Sequence, residues 1–149
     1  MQVYSKILNL INSISESPNE RNFNFYTLKC QDLLEFSVDL NFQIKKTSLM
    51  HGICCWFDAI FDGSNEKVVL STSPQSSPTH WYQVRLLLPE PLAINKNQWV
   101  EGKISFKANK LQSYYIHLKV GISKADVWIE NTYDLKDPEF RGYSTHSNK

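Results

Sequence analysis

The sequence is poor in the features that mark several common classes of protein. Only five glycines occur in 149 residues, and none forms the Gly-rich strand-turn-helix motif that cradles phosphates or dinucleotides. Basic and acidic residues nearly balance, 16 against 15, so charge alone indicates neither a nucleic acid nor an anionic membrane as partner. No apolar run approaches the roughly 20 residues of a membrane span, and the N-terminus lacks a secretory pattern.

Cysteine is also scarce, and its positions do not suggest a disulfide framework. Cys30, Cys54 and Cys55 are an odd set with two adjacent members, which indicates a reducing compartment, the cytosol or the nucleus. In an extended segment Cys54 and Cys55 point to opposite faces, and His51 has no second histidine at a usable spacing. We therefore expect no structural zinc here, and interpret the cysteines as small apolar residues.

The chain has the length and the apolar content of one globular domain, since 42% of its residues are hydrophobic. Apolar residues in 3–15 recur at helical spacing, which predicts one short amphipathic helix. Pro18 and polar neighbours make 16–22 a linker. From Phe23 onward the hydrophobic period changes to that of strands.

About eight extended segments predict a mainly β domain, an antiparallel barrel or sandwich with the short N-terminal helix. Residues 34–45 alternate cleanly, with Leu34 and every second residue to Ile44 facing one way. Residues 50–63 are almost continuously apolar, as in a strand buried on both sides. The other predicted segments are 23–29, 66–73, 80–88, 99–108, 112–120 and 126–135.

The sequence offers one candidate site, the stretch Pro78-Thr79-His80-Trp81-Tyr82 between a Ser/Pro loop and an apolar run. An imidazole there can accept a proton near neutral pH, and the two rings can wall a cationic group. Loops at the ends of a β scaffold often carry sites. The residues alone leave open the alternative that the rings anchor the strand and the imidazole is merely solvated.

Other polar residues have simpler interpretations. His117, between apolar strand neighbours, is interpreted as an outward-facing or hydrogen-bonded strand histidine, and His146 lies in the polar tail. Asp62 precedes Gly63 and fits the opening of a turn, and neither Asp62 nor Asp58 is assigned a catalytic role.

Five blocks of sequence follow one another along the chain: HGICCWFDAIFDGS, LSTSP, PTHWYQVR, ANKLQSYYI and YDLKDPEFR. Together they resemble the C-terminal β-barrel of the protein arginine methyltransferases, in particular the coactivator-associated, histone H3 arginine type I subfamily. The resemblance covers roughly residues 23–143. It divides the chain into an unmatched helix and linker at 1–22, the barrel at 23–143, and a polar tail at 144–149.

The resemblance implies roles for residues near the Thr-His-Trp loop, which closes the active site in that family. His80 would be catalytic, orienting the substrate or accepting a proton, and Trp81 would shape the arginine slot. Tyr82, Pro138 and Phe140 would contact the substrate. The family has Asn where Asp137 stands and an aromatic residue where Glu139 stands, so this segment departs from the family's pattern at two positions.

The chain also departs from the family. No segment matches the domain that binds S-adenosylmethionine, its pair of catalytic glutamates, or the helical dimerisation arm. We therefore expect that the chain alone binds no cofactor and is inactive, although the full-length family enzyme uses S-adenosylmethionine. The barrel would then have an unpaired edge, to be covered by Val3–Ser15 or by another chain.

The resemblance further implies the partners and the location of the protein. Arginine-containing proteins such as histone H3 would be substrates, in the nucleus and cytoplasm, and the cofactor-binding domain would be a partner. An alternative is a stand-alone interaction module that binds a full-length methyltransferase or an Arg-rich partner.

Overall fold

Strands dominate the computed structural model, which describes residues 2–7 and 19–136. In this part of the chain the elements are β1 (Gln2–Ile7), β2 (Arg21–Asn24), a 3-10 turn (Cys30–Leu33), β3 (Glu35–Gln43), β4 (Ser48–Cys55), β5 (Phe57–Asp62), β6 (Lys67–Ser71), β7 (Val84–Ile94), β8 (Trp99–Ala108), β9 (Tyr114–Ile122) and β10 (Trp128–Asp134). Within these residues no helix has the length and hydrophobicity needed to cross a bilayer.

The strands form three antiparallel sheets, which confirms the predicted mainly β, antiparallel class. One sheet has the order β10-β9-β8-β3, another has the order β2-β1-β5-β6, and β4 pairs with β7. The first sheet is built from hairpin neighbours, with β3 added beside β8 along its whole length. β10 also contacts β7, so the first sheet and the β4-β7 pair enclose a common interior.

The core lies between that first sheet and the β4-β7 pair. Ile104, Leu118 and Val120 are completely shielded from solvent. In β3 the alternation predicted from the sequence is confirmed from Val38 to Ile44, with every second side chain buried. Leu34 departs from it and is 59% exposed, because it caps the 3-10 turn and precedes the strand.

The predicted N-terminal helix is wrong over Val3–Ile7, which belong to β1. This strand lies between β2 and β5 and pairs antiparallel with both. The spacing of four residues between Val3 and Ile7 fits the period of a strand as well as that of a helix, so local pattern did not discriminate. Residues 2–7 thus form an inner strand of that sheet. Residues 8–15 of the predicted helix lie outside the described residues.

The apolar run 50–63 is two strands rather than one. β4 ends at Cys55, β5 begins at Phe57, and the two strands belong to different sheets. Cys54, Cys55 and Trp56 are all buried, so both faces of the chain are covered at this crossing. Burial on both faces was predicted; the crossing between sheets was not.

β7 continues beyond Leu88, where the sequence pattern predicted its end. The register with β4 shifts, because Met50 pairs with Leu92 whereas Gly52 pairs with Leu87. Pro89 and Pro91 therefore lie in a bulge. Proline has no backbone N–H, and at a bulge the ladder does not require one.

The carbonyl of Leu87, which lies beside the bulge, accepts two hydrogen bonds from β10. The hydroxyl of Tyr133 donates to it at 2.6 Å, and Asn131 Nδ2 donates at 3.2 Å. Tyr133 is among the largest fully buried side chains, and this burial raises the pKa of its phenol to about 12. The hydroxyl thus ties β10 to β7 at the point where the β4-β7 ladder is interrupted.

Candidate functional site

The candidate residues lie on the loop that connects β6 to β7 and therefore joins two different sheets. We call residues 72–83 the Thr-His-Trp loop. The sequence pattern predicted a strand from residue 80, but β7 begins only at Val84, so His80, Trp81 and Tyr82 all belong to the loop. All three are exposed, Trp81 by 54% and Tyr82 by 88%.

A local turn fixes the backbone on either side of His80. The hydroxyl of Thr79 donates to the carbonyl of Trp81 at 3.0 Å, and the Trp81 amide donates to Thr79 Oγ1 at 3.2 Å. A hydroxyl can do both because it is donor and acceptor at once. Such a side-chain turn allows residues 79–81 to hold a defined shape on an exposed surface.

The base of the loop is anchored to the first residue of β5. Thr72, which is 2% exposed, donates through Oγ1 to the carbonyl of Phe57 at 2.8 Å and accepts from the Phe57 amide at 3.0 Å. The Thr72 amide also donates to the Phe57 carbonyl at 3.0 Å. At the other end of the loop, Gln83 Nε2 donates to the carbonyl of Thr72 at 2.8 Å.

Phe57 also contacts the tip of the loop. Its ring and that of Trp81 meet edge to face, with centroids 5.9 Å apart and planes at 73°. A pair of this geometry adds about 0.5–1.5 kcal/mol beyond the burial of its area. Trp81 is therefore held on one side by an aromatic neighbour and remains about half exposed on the other.

Short polar contacts order the remainder of the loop. The hydroxyl of Ser71 donates to the carboxylate of Asp58 at the loop base. Ser73 and Ser76 share a hydrogen bond between their hydroxyls at 2.8 Å. Asp58, which the sequence analysis set aside, is thus a hydrogen-bonded carboxylate of the scaffold.

This arrangement presents an imidazole and two aromatic rings to solvent from an ordered backbone. An exposed indole face can bind a cation such as a guanidinium, and an imidazole can orient it or accept a proton. Within the described residues His80 has no ion-pair partner.

The other sequence candidates fall elsewhere. Pro138 and Phe140 lie outside the described residues. His117 lies on the outer face of the first sheet, with Nε2 at 3.6 Å from a carboxylate oxygen of Glu130. Among residues 2–7 and 19–136 there is no group of three or more His, Cys, Asp or Glu side chains placed to hold a metal ion.

An open groove of about 500 Å³ lies on that same outer face and is lined by residues of β3, β8, β9 and β10. Two of its lining residues, Lys103 and Lys119, already have partners, Asp39 at 3.3 Å and Glu130 at 3.9 Å. Because these charges satisfy one another at the surface, we assign no site there.

Sequence reasoning missed three residues that shape the site, namely Phe57, Thr72 and Gln83. Thr72 is separated from Phe57 by 15 positions and from Gln83 by 11. No local periodicity reports such contacts, since they depend on β5 pairing with β6. A threonine at the end of an exposed strand carries no signal until that pairing is known.

Comparisons with known proteins agree with this fold. The family model described as "Arginine methyltransferase oligomerization subdomain" matches residues 3–123. The match includes most of the N-terminal segment for which the sequence analysis found no resemblance.

Curated relatives are similar over most of the chain. The histone-arginine methyltransferase CARMER of Drosophila yakuba is 44% identical over 118 residues, 79% of this chain and 22% of that protein. The probable histone-arginine methyltransferase CARMER of Drosophila melanogaster is 43% identical over the same share of each chain. The chain thus spans about a fifth of the length of these relatives.

Two solved structures share the fold at 16% identity each. Protein arginine methyltransferase 10 of Arabidopsis thaliana superimposes with a TM-score of 0.74, over 87% of this chain and 43% of that one. A chain of the Trypanosoma brucei PRMT1 enzyme-prozyme heterotetrameric complex with AdoHcy superimposes with a TM-score of 0.68, over 87% and 44%. Fold, family model and relatives together show that the chain belongs to the arginine methyltransferase family, in which it corresponds to the oligomerization subdomain.

Proposed function

We propose that this domain forms the substrate side of a histone- or protein-arginine methyltransferase, with the Thr-His-Trp loop as one wall of the arginine groove. The observation that carries the proposal is the combination of exposure and order at Trp81. Its ring is 54% exposed, yet it is held by Phe57 and by the Thr79 turn. Free surface aromatics rarely need such support, whereas a binding wall does.

The chemistry of arginine explains what such a wall contributes. A guanidinium has a pKa above about 12, so it remains charged and is a poor nucleophile. Trp81 would hold its flat cation through the ring face, and His80 would orient it or accept the proton released on methylation. Orientation of the reacting nitrogen supplies much of the rate of such a transfer.

S-adenosylmethionine is the methyl donor that the family implies, but the described residues do not fit a site for it. Cβ atoms added at Gly52, Gly102 and Gly121 would lie 2.4, 2.1 and 2.3 Å from the carbonyl oxygens of Leu86, Lys119 and Val127. These glycines therefore permit close strand packing rather than cradle a nucleotide. We propose that the donor is bound by another domain and that the 149-residue chain alone transfers no methyl group.

Labelled S-adenosylmethionine with histone H3 tests that statement. We expect no label on H3 with the purified chain, while a full-length CARMER-type relative in parallel labels it. Label transferred by the chain alone would show that cofactor binding and catalysis reside within it.

The groove wall is tested by peptide titration of the chain, followed by NMR. An Arg-rich peptide should shift the resonances of Trp81 and Tyr82 more than the same peptide with lysines. Trp81→Ala should abolish the shift at Tyr82. Trp128→Ala, which removes a tryptophan that is 44% exposed on the outer sheet face, should retain both shifts. Shifts that follow Trp128 instead would place the contact elsewhere.

A second candidate function is association with another arginine methyltransferase chain. The family model is described as an oligomerization subdomain, and the Trypanosoma relative is part of a heterotetramer. Sedimentation of the chain mixed with a full-length CARMER-type enzyme tests it, and a heavier species is expected. The relatives are named histone-arginine methyltransferases, which supports a histone as substrate of the whole protein and a nuclear role. Localisation of the tagged chain would examine the nuclear role.

A further inference from the structure

We propose that Thr72 and Gln83 are positioning residues of the Thr-His-Trp loop, which they close against Phe57 so that Trp81 and His80 keep one orientation toward the substrate. The inference rests on the proposed function of the loop as a groove wall. It adds a device that sets the geometry of that wall from outside the Thr-His-Trp motif.

The first step is the burial of Thr72. Its side chain is surrounded by protein, and its hydroxyl bonds both the amide and the carbonyl of Phe57. A buried hydroxyl requires such partners, because an unpaired polar group in the interior is costly. The two bonds also define the direction in which the chain leaves β6, which is where the loop begins.

The second step is the closure of the loop by Gln83. Its amide nitrogen donates to the carbonyl of Thr72, so the first and last residues of the loop are joined directly. A loop whose ends are fixed to one another samples fewer conformations than one held only by its flanking strands. Residues 73–82 are thereby confined to a compact excursion from the sheet.

The third step links closure to the exposed rings. The backbone of Phe57 is hydrogen-bonded to the side chain of Thr72, and the ring of Phe57 contacts the ring of Trp81. The base and the tip of the loop therefore share one reference residue. The orientation of His80 depends on that of Trp81, because the hydrogen bonds of the Thr79 side chain hold the backbone of residues 79–81 in one turn.

Neither positioning residue belongs to the hydrophobic core that lies between the sheets. The hydrogen bonds of their side chains, as the described residues show them, join the loop to itself and to Phe57. Loss of these contacts should thus change the loop without unfolding the domain, and it is this separation that makes the inference testable.

The test is NMR on the 149-residue chain with variants at each position. Thr72→Val keeps the β-branched shape without the hydroxyl, Thr72→Ser restores the hydroxyl, and Gln83→Met removes only the amide. Matched controls are Thr132→Val, on the exposed face of β10, and Gln43→Met, at the end of β3. The readouts are the NOE between the Phe57 and Trp81 rings and the fast backbone mobility of residues 79–82.

Thr72→Val should lose the Phe57–Trp81 NOE and mobilise residues 79–82, while the resonances of β8 and β9 stay in place. Thr72→Ser should restore both readouts, Gln83→Met should mobilise the loop, and the controls should match the wild type. An unchanged NOE and rigid loop in either Thr72→Val or Gln83→Met would overturn the inference. Should Thr72→Val not fold, Gln83→Met decides alone.

These outcomes are independent of the proposed function. If Arg-rich peptides fail to shift the resonances of Trp81, the groove-wall proposal is refuted. The effect of Thr72 and Gln83 on the loop can still be measured. Conversely, an unchanged NOE and a rigid loop in Gln83→Met, together with arginine-selective shifts at Trp81, would support the groove wall and refute the positioning role of Gln83.

Discussion

The two sides of the molecule use the same kind of residue in opposite ways. In β8 and β9, apolar side chains alternate with polar ones, and the apolar set is sealed in the core. In β6 the run Val68, Val69 and Leu70 is at least one-third exposed throughout, on a strand paired only with β5 within the described residues. The apolar side chains of the first region stabilise the core, whereas those of the second remain partly exposed to solvent.

The contrast extends to how polar groups are used. On the outer face of the first sheet, charges pair with each other across strands, as Lys103 does with Asp39. Around the Thr-His-Trp loop, hydrogen bonds from Thr72, Thr79 and Gln83 are directed to backbone instead. Surface ion pairs contribute little stability, but backbone-directed bonds fix a shape. Stability and presentation are therefore provided by different regions.

The largest expected effect of a single change lies in the core. Leu118→Ala removes a side chain with no solvent exposure and should lower the free energy of unfolding by about 2–5 kcal/mol. Leu111→Ala, in the turn before β9 where the leucine is 53% exposed, should change it by less than about 0.5 kcal/mol. Urea denaturation of both variants measures the difference; equal losses would show that the two positions are packed alike.

The core was also the part that the sequence predicted best. Alternation along β3 is a local signal, and the buried set from Val38 to Ile44 could be read from it directly. The strand β1 could not be predicted in this way, because its partners β2 and β5 are distant in sequence and the spacing of Val3 and Ile7 fits both a strand and a helix. The division of the run 50–63 at Trp56 was hidden because continuous hydrophobicity conceals a change of sheet.

The site was predicted only in part, for a related reason. The Thr-His-Trp motif and its resemblance to arginine methyltransferases identified the loop, and the family assignment is confirmed. The roles assigned to His80, Trp81 and Tyr82 remain predictions. The supports at Phe57, Thr72 and Gln83 arise from pairing between β5 and β6 and leave no trace in local pattern.

A smaller loss of stability should appear at alkaline pH and should arise from two groups of the core. Burial raises the pKa of the Cys55 thiol from 9.0, and that of the Tyr133 phenol from 10.0, to about 12 in each case. The folded chain therefore keeps protons that the unfolded chain releases. The contribution of these two groups to the free energy of unfolding should be fully present below about pH 9 and should be lost as pH rises from about 9 to 12.

Urea denaturation in reducing buffer between pH 8 and 11 measures this slope. Tyr133→Phe should flatten the part above pH 10, besides losing the bond to Leu87 at every pH. Tyr115→Phe, which changes a tyrosine that is 47% exposed on the outer face, should keep the wild-type slope. A wild-type curve that is level up to pH 11 would contradict burial of both groups.

The smallest effect on stability should come from the exposed strand, where the change should instead affect association. Val69→Lys replaces a side chain that is 51% exposed at the centre of β6, so the free energy of unfolding should shift by no more than about 0.5 kcal/mol. A lysine on an edge strand opposes pairing with a second chain, because the incoming strand would have to desolvate the charge. Sedimentation of the concentrated chain should therefore show less self-association for Val69→Lys than for Thr132→Lys, which introduces the same charge on β10. If both variants associate like the wild type, the apolar surface of β6 does not drive contact between copies, and the contrast between the two sides reduces to one of packing.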